Sequence, residues 1–221
     1  MSERPRIGLI GGTFDPIHLG HTAAALAAGR ALDLNLVRFI PSARPPHRPD
    51  SPRASEYHRL QMTRLAVAGA AAEALPTRWE VSDQELRRDG LSFTIDTLEA
   101  QQREGLSPLQ LFFITGADAF ADIASWHRYP AVLDASHFAA VSRPGTTLDE
   151  LRSRLPALRD RLAAPADAAT APTPRIILIE AVTPDVSSTD IRRRAAHGES
   201  LEGLVTPAVA AYIAQHSLYA H

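Results

Sequence analysis

The chain has 221 residues, 23 basic and 25 acidic side chains, a formal net charge of −2, no cysteine and 45% hydrophobic content. That balance fits one globular domain with a sizeable core and lacks the basic field of a nucleic-acid or anionic-membrane binder. It also excludes disulfides, zinc–thiolate sites, a thiol nucleophile and, because all 23 basic residues are arginine, any P-loop or Schiff-base lysine.

The N-terminal residues Met1-Ser2-Glu3-Arg4-Pro5-Arg6 carry no signal-like apolar core, and no apolar run is long enough to cross a bilayer. A soluble, cytoplasmic protein is the expectation. The first strand is predicted at 6–10, followed by a glycine turn and a helix over 19–32. A strand at 36–40 leads into an irregular stretch, 41–53, whose five prolines bar both a helix and a central strand. Then come a helix at 56–70, a strand at 77–81, a helix at 94–104, a strand at 109–115 and a short helix at 118–123. After a strand at 138–142, the segment 146–174 is rich in Ala, Arg and Pro. It reads as a weak helix and then a disordered-looking linker, a variable, flexible insertion within a single domain spanning 1–221. A strand at 175–180 and helices at 188–197 and 207–215 complete the chain. Strands alternating with helices predict an α/β fold: a doubly wound, mostly parallel sheet with helices on both faces and a small C-terminal helical part. Ligands of such sheets bind beyond the carboxyl ends of the strands, where the strand order switches. Gly11-Gly12 and Gly116-Ala117-Asp118 both fall just past predicted strand ends.

The stretch Gly11-Gly12-Thr13-Phe14-Asp15-Pro16-Ile17-His18-Leu19-Gly20-His21 carries most of the chemistry. Glycines at a strand end let backbone N–H groups approach a ligand. Histidines three apart at a helix start face the same way, beside the positive end of the helix dipole. Together they describe a phosphate site with imidazole donors. A second anion site is legible at Val186-Ser187-Ser188-Thr189-Asp190-Ile191-Arg192, a Ser/Thr helix start with an arginine one turn on. A third candidate is Gly116-Ala117-Asp118, where a carboxylate can accept from hydroxyls.

The H-x-G-H string His18-Leu19-Gly20-His21, within G-G-T-F-D-P-x-H-x-G-H, resembles the nucleotidyltransferase superfamily and its bacterial adenylyltransferases. The segment Val186 to Arg192 is similar to that family's I-S-S-T-x-I-R motif, with valine for isoleucine. The resemblance implies a Rossmann-like fold. It places the ATP phosphates on Gly11, Gly12, Thr13, Phe14, His18 and His21, with His18 and His21 as the catalytic pair stabilising charge as pyrophosphate leaves. It adds Ser188, Thr189 and Arg192 to the ATP site and puts Gly116 and Asp118 at the ribose.

Three further segments resemble nicotinate mononucleotide adenylyltransferases. Ser42-Ala43-Arg44-Pro45-Pro46-His47-Arg48 is similar to their P-P-H-K loop, with Arg48 in place of lysine. Leu91-Ser92-Phe93-Thr94-Ile95-Asp96-Thr97-Leu98 is similar to S-Y-T-I-D-T-L. Trp126-His127-Arg128-Tyr129 is similar to W-x-x-Y, His127 standing where tyrosine is common. The resemblance implies ATP and nicotinate mononucleotide as substrates. Asp15, Arg48, Thr94, Trp126, His127 and Arg143 would hold the mononucleotide, Trp126 beneath the pyridine ring and backbone donors near Thr94 and His127 at its edge. Mg²⁺ would come with ATP, with no dedicated protein metal site. Neither nucleic acid nor membrane is expected as partner, and the sequence leaves a homo-oligomer open. Two rival readings stand beside this one: an adenylyltransferase for another phosphate monoester such as phosphopantetheine, and a non-catalytic nucleotide sensor on the same fold.

Overall fold

The computed structural model describes residues 5–46, 52–142, 147–168 and 170–220. Its first half runs β1 (Ile7–Gly12), α1 (Leu19–Ala31), β2 (Leu36–Pro41), α2 (Glu56–Ala70), β3 (Arg78–Val81), α3 (Thr94–Arg103) and β4 (Leu111–Gly116). The second half runs α4 (Ala117–Phe120), β5 (His137–Val141), α5 (Leu148–Arg154), β6 (Leu162–Ala163), α6 (Pro165–Ala168), β7 (Ile176–Ile179), α7 (Ser188–Ala196) and α8 (Pro207–Gln215). The seven strands form one sheet in the order β3-β2-β1-β4-β5-β7-β6, every pairing parallel. The chain winds outward from β1 to β3, then returns to lay β4 against the other side of β1. The order therefore reverses between β1 and β4, which opens a crevice beyond their carboxyl ends.

The near-continuous apolar strands follow from burial on both faces. Their period of two divides the core into two clusters. Ile10, Val37, Phe39, Phe112, Ile114, Ala139, Val141, Ile177 and Ile179 pack with α1, α2, α7 and α8 residues on one face. Leu9, Leu36, Ile40, Leu111, Phe113, Phe138, Ala140 and Ile176 pack with Ile95, Leu98, Phe120 and Leu151 on the other. Helix α1 sits close because its buried positions are small: Gly20, Thr22, Ala24, Ala25, Ala28 and Gly29. Gly8 of β1 is tightly packed as well: a Cβ there would lie 2.7 Å from Leu34 Cδ1 and 2.9 Å from Ile114 Cδ1, so those side-chain ends would have to shift.

The segment expected to be a weak helix and linker holds more structure than its composition suggests. Thr147 accepts a hydrogen bond from the Glu150 N–H at 3.2 Å, and the Glu150 carboxylate accepts from the Thr147 N–H at 3.0 Å, a reciprocal box that starts α5. Leu151 and Leu158 are buried in the core, and β6 pairs with β7 to form the sheet edge. A few well-spaced leucines outweigh the Ala, Arg and Pro content. Among the described residues no helix is long and apolar enough to cross a membrane.

Candidate active site

A cleft of about 530 Å³ lies over the ends of β1 and β4. One wall is the end of β1 and the turn after it, Gly11, Gly12 and Thr13, with His21 beside them. The opposite wall is Phe93, Thr94, Trp126 and His127, with Ser42, Pro45, Pro46, Glu85 and Ser92 along one side.

The turn wall is built by the chain reversal between β1 and α1. Phe14 has φ 48°, a left-handed conformation that turns its ring into the core, where it is buried and meets the His21 ring edge-on at 5.0 Å. His18 is the N-cap of α1 and buried, its ring stacked on His21 with centroids 3.7 Å apart. The His18 N–H donates to His21 Nδ1 at 3.1 Å. That bond requires Nδ1 to be unprotonated, so the His21 ring proton sits on Nε2. Gly20, between the histidines, leaves the stack uncrowded: a Cβ there would stand 3.1 Å from the His18 ring.

The second anion motif folds onto this turn. The Ser188 hydroxyl donates to the Pro16 carbonyl at 2.9 Å, and Arg192 Nη1 donates to the Asp15 carbonyl at 2.8 Å. Arg192 Nη2 donates to the Thr189 hydroxyl at 3.2 Å. The N-terminus of α7, capped by Ser187, is thereby fixed against the residues preceding His18.

At the far wall, α3 begins at Thr94 behind Phe93, an N-cap that makes no side-chain cap bond. The Asp96 N–H in the first turn of α3 donates to the Phe93 carbonyl at 3.1 Å, and a helix N-terminus facing the cleft favours an anion. Phe93 stacks on His127 at 4.1 Å, and Trp126 meets Phe113 edge-on at 5.9 Å. Trp126 is half-buried, so one part of the indole packs on the core while another lines the cleft. Glu85, also in the cleft lining, is buried and accepts from the Thr97 hydroxyl. Burial pushes its carboxyl above the usual range, against the opposing hydrogen bonds from Thr97 and Ser92.

The chain matches the model of the cytidylyltransferase-like family over residues 9–194. It is 42% identical over 217 residues to a Pseudomonas entomophila protein named "Probable nicotinate-nucleotide adenylyltransferase", covering 97% of this chain and 94% of that one. A Moorella thermoacetica protein of the same name is 41% identical over 214 residues, covering 97% and 91%. The chain belongs to the nicotinate-nucleotide adenylyltransferase family. Its fold is also that of a Plasmodium falciparum nicotinic acid mononucleotide adenylyltransferase complexed with NaAD, with a TM-score of 0.74, 17% identity and 98% of each chain covered. As a member of this family the protein is a nucleotidyltransferase.

Of the residues read from the sequence, the structure brings Gly11, Gly12, Thr13, His21, Thr94, Trp126 and His127 into the lining of this cleft. Phe14 and His18 lie just behind its wall, both buried. Gly116 ends β4 and caps α4, and Asp118 is exposed on the first turn of α4. Ser188, Thr189 and Arg192 buttress the turn from outside the cleft lining. Arg48 and Arg143 lie outside the described residues. Asp15, expected on the mononucleotide, is not part of the cleft lining. It is 2% exposed, and its carboxylate accepts from the N–H groups of Arg53 at 2.8 Å and Ala54 at 3.1 Å and from the Tyr219 hydroxyl at 2.8 Å. The sequence reading missed Arg59, Glu85, and the latching role of Ser42 and Ser92. The two serines fall inside quoted motifs. Nothing in the local pattern of α2 marks Arg59, because its partners are carbonyls of distant loops.

Proposed function

We propose that this cleft transfers the AMP moiety of ATP to nicotinate mononucleotide, giving nicotinate adenine dinucleotide and pyrophosphate, a step of NAD biosynthesis. One observation carries the reading: a phosphate-type wall of backbone amides and imidazole faces, across a single cleft, an aromatic wall with a helix N-terminus in it. The first suits a triphosphate. The second suits a flat, electron-poor pyridine bearing a carboxylate.

The 5′-phosphate oxygen of the mononucleotide forms a bond to the α-phosphorus of ATP while the bond from that phosphorus to the bridging oxygen breaks. Pyrophosphate leaves with that electron pair. The nucleophile is already ionised at neutral pH, so no side chain need remove a proton. Catalysis then consists of positioning and charge stabilisation. His21 donates from Nε2 to the phosphate oxygens, and His18 holds His21 in place through its N–H and ring stack. The amides of Gly12 and Thr13 stand beside the same oxygens. Ser188, Thr189 and Arg192 hold the turn and complete the ATP site, with Gly116 and Asp118 toward the ribose. Trp126 lies under the pyridine, and backbone donors at Thr94 and His127 meet its carboxylate. Arg48 and Arg143 serve the mononucleotide phosphate. The donors around the phosphate wall are amides and imidazole rather than a carboxylate cage, so Mg²⁺ belongs to the MgATP substrate, held by phosphate oxygens and water.

The test is pyrophosphate release with ATP and Mg²⁺ on three acceptors in turn: nicotinate mononucleotide, nicotinamide mononucleotide and phosphopantetheine. Release with nicotinate mononucleotide is expected. Release with phosphopantetheine alone, or ATP binding without release on any acceptor, would overturn the proposal.

A further inference from the structure

Among the described residues Arg59 is the largest fully buried side chain. It projects from the first turn of α2. Its Nη1 donates to the Thr13 carbonyl at 2.7 Å and to the Ser42 carbonyl at 2.6 Å, and its Nη2 reaches the Ala43 carbonyl at 3.5 Å. Thr13 and Ser42 both line the cleft. One guanidinium therefore clamps the turn that faces the phosphates to the loop that follows β2.

The connection continues. The Ser42 N–H donates to the Gly12 carbonyl at 2.8 Å. The Ser92 hydroxyl accepts from the N–H groups of Ala43 at 3.0 Å and Arg44 at 3.3 Å, and the Ser92 N–H donates back to the Arg44 carbonyl at 2.8 Å. Ser92 is two residues before Thr94, where α3 starts. A continuous hydrogen-bonded path thus runs from Thr13 through Arg59, Ser42, Ala43 and Ser92 to the aromatic wall. A buried guanidinium is costly, and an apolar side chain of similar volume could fill the space with less desolvation. What an apolar side chain cannot do is hydrogen-bond three carbonyls from two loops at once.

We infer that Arg59 is a positioning residue that sets the spacing between the donor and acceptor halves of the cleft. This rests on the proposed reaction. In-line attack tolerates little error, and a misplacement of about 1 Å can lower turnover about 100-fold. Arg59 touches neither substrate, so its loss should lower kcat at intact ATP binding.

The experiment compares wild type, Arg59→Lys, Ser92→Ala and the double variant, assayed well below each unfolding midpoint. It measures kcat for dinucleotide formation, and the Kd and stoichiometry of ATP binding without acceptor. Arg59→Lys should lower kcat by roughly 30-fold to 100-fold while ATP still binds one per chain with Kd within about three-fold. Ser92→Ala should lower kcat by about five-fold, and the double variant should lose less than the product of the two, because both act on one path. A kcat within three-fold of wild type in Arg59→Lys overturns the inference. So does a rise in ATP Kd matching the fall in kcat, or full multiplicativity. If Arg59→Lys does not fold, Ser92→Ala decides alone: unchanged kcat overturns the path, and lowered kcat with intact ATP binding supports it. A wild-type protein that makes no dinucleotide overturns the proposed function and this inference with it, whereas active wild type with unaffected variants overturns this inference alone.

Discussion

Replacing Asp15 with asparagine separates a structural carboxylate from a substrate ligand. In the structure Oδ2 accepts from the Arg53 N–H at 2.8 Å, and Oδ1 accepts from the Ala54 N–H at 3.1 Å and the Tyr219 hydroxyl at 2.8 Å. Asparagine has the same shape but only one acceptor oxygen. Whichever way its amide turns, an NH₂ group faces a backbone N–H that has no other partner among the described residues, and one bond to a charged acceptor is lost, worth about 1.5–3 kcal/mol. The substitution also removes the negative charge that offsets burial of the Arg59 guanidinium, whose pKa burial already pushes below its ordinary range. Asp15→Asn should therefore lower unfolding free energy by about 3 kcal/mol. Tyr219→Phe leaves both N–H bonds intact and should lower it by about 2 kcal/mol. Urea unfolding at pH 7 and 25 °C measures both, and a shifted midpoint at unchanged slope marks a pure stability effect. Far below its midpoint, Asp15→Asn should keep a KM for nicotinate mononucleotide within about three-fold of wild type, as expected for a residue outside the substrate contacts. Unchanged stability with a ten-fold or larger rise in that KM would refute the reasoning and return Asp15 to the mononucleotide.

Two further outcomes follow from particular contacts. Gly20→Ala adds a Cβ 3.1 Å from the His18 ring, so the stack on His21 must shift by a few tenths of an ångström. Turnover should fall about ten-fold while stability changes by less than about 1 kcal/mol, alanine's helix propensity offsetting the crowding; steady-state kinetics and urea unfolding check the pair of values, and wild-type turnover would contradict it. His137 is fully buried on Phe112, its Nδ1 accepting the Arg175 N–H at 3.0 Å. Burial, with the Arg175 charge adding to it, pushes its pKa from 6.5 down to about 4. Because the folded pKa is depressed, the unfolded chain binds the proton first as pH falls, so the stabilisation is complete above pH 6.5 and is lost through the window from 6.5 to about 4. The loss approaches about 3 kcal/mol at the low end. His137→Asn keeps an acceptor near Nδ1 without titrating there, so its unfolding free energy should fall less than wild type's between pH 7 and 4.5; equal falls would show that His137 does not titrate this way.

Much of the fold was legible because its signals are local. The apolar runs at β1, β2, β4 and β5 and the capped starts of α2 and α8 need only neighbouring residues to be read. The turn at Gly11 to His21 was legible for the same reason: glycine, imidazole spacing and helix start all fall within eleven consecutive positions. What the sequence hides is partnership at a distance. Asp15 reads as a ligand beside a phosphate loop, and folding brings its carboxylate to Arg53, Ala54 and Tyr219, three partners that its neighbours in sequence do not announce. Arg59 reads as one more helical arginine, and only the meeting of two loops gives it three carbonyls. Edge strand β6 has two residues, too short for any alternation to reveal, and its pairing depends on β7 being laid down beside it.

In the proposed reaction His21, set by His18, stabilises charge on the phosphates during transfer to nicotinate mononucleotide. Its most direct test is chromatographic measurement of nicotinate adenine dinucleotide formed from ATP, Mg²⁺ and nicotinate mononucleotide by wild type and His21→Ala. Wild type should form one dinucleotide per pyrophosphate, and a folded His21→Ala should turn over about 100-fold more slowly or worse, the scale of losing one preorganised donor. Turnover within a few-fold of wild type in that variant would contradict it.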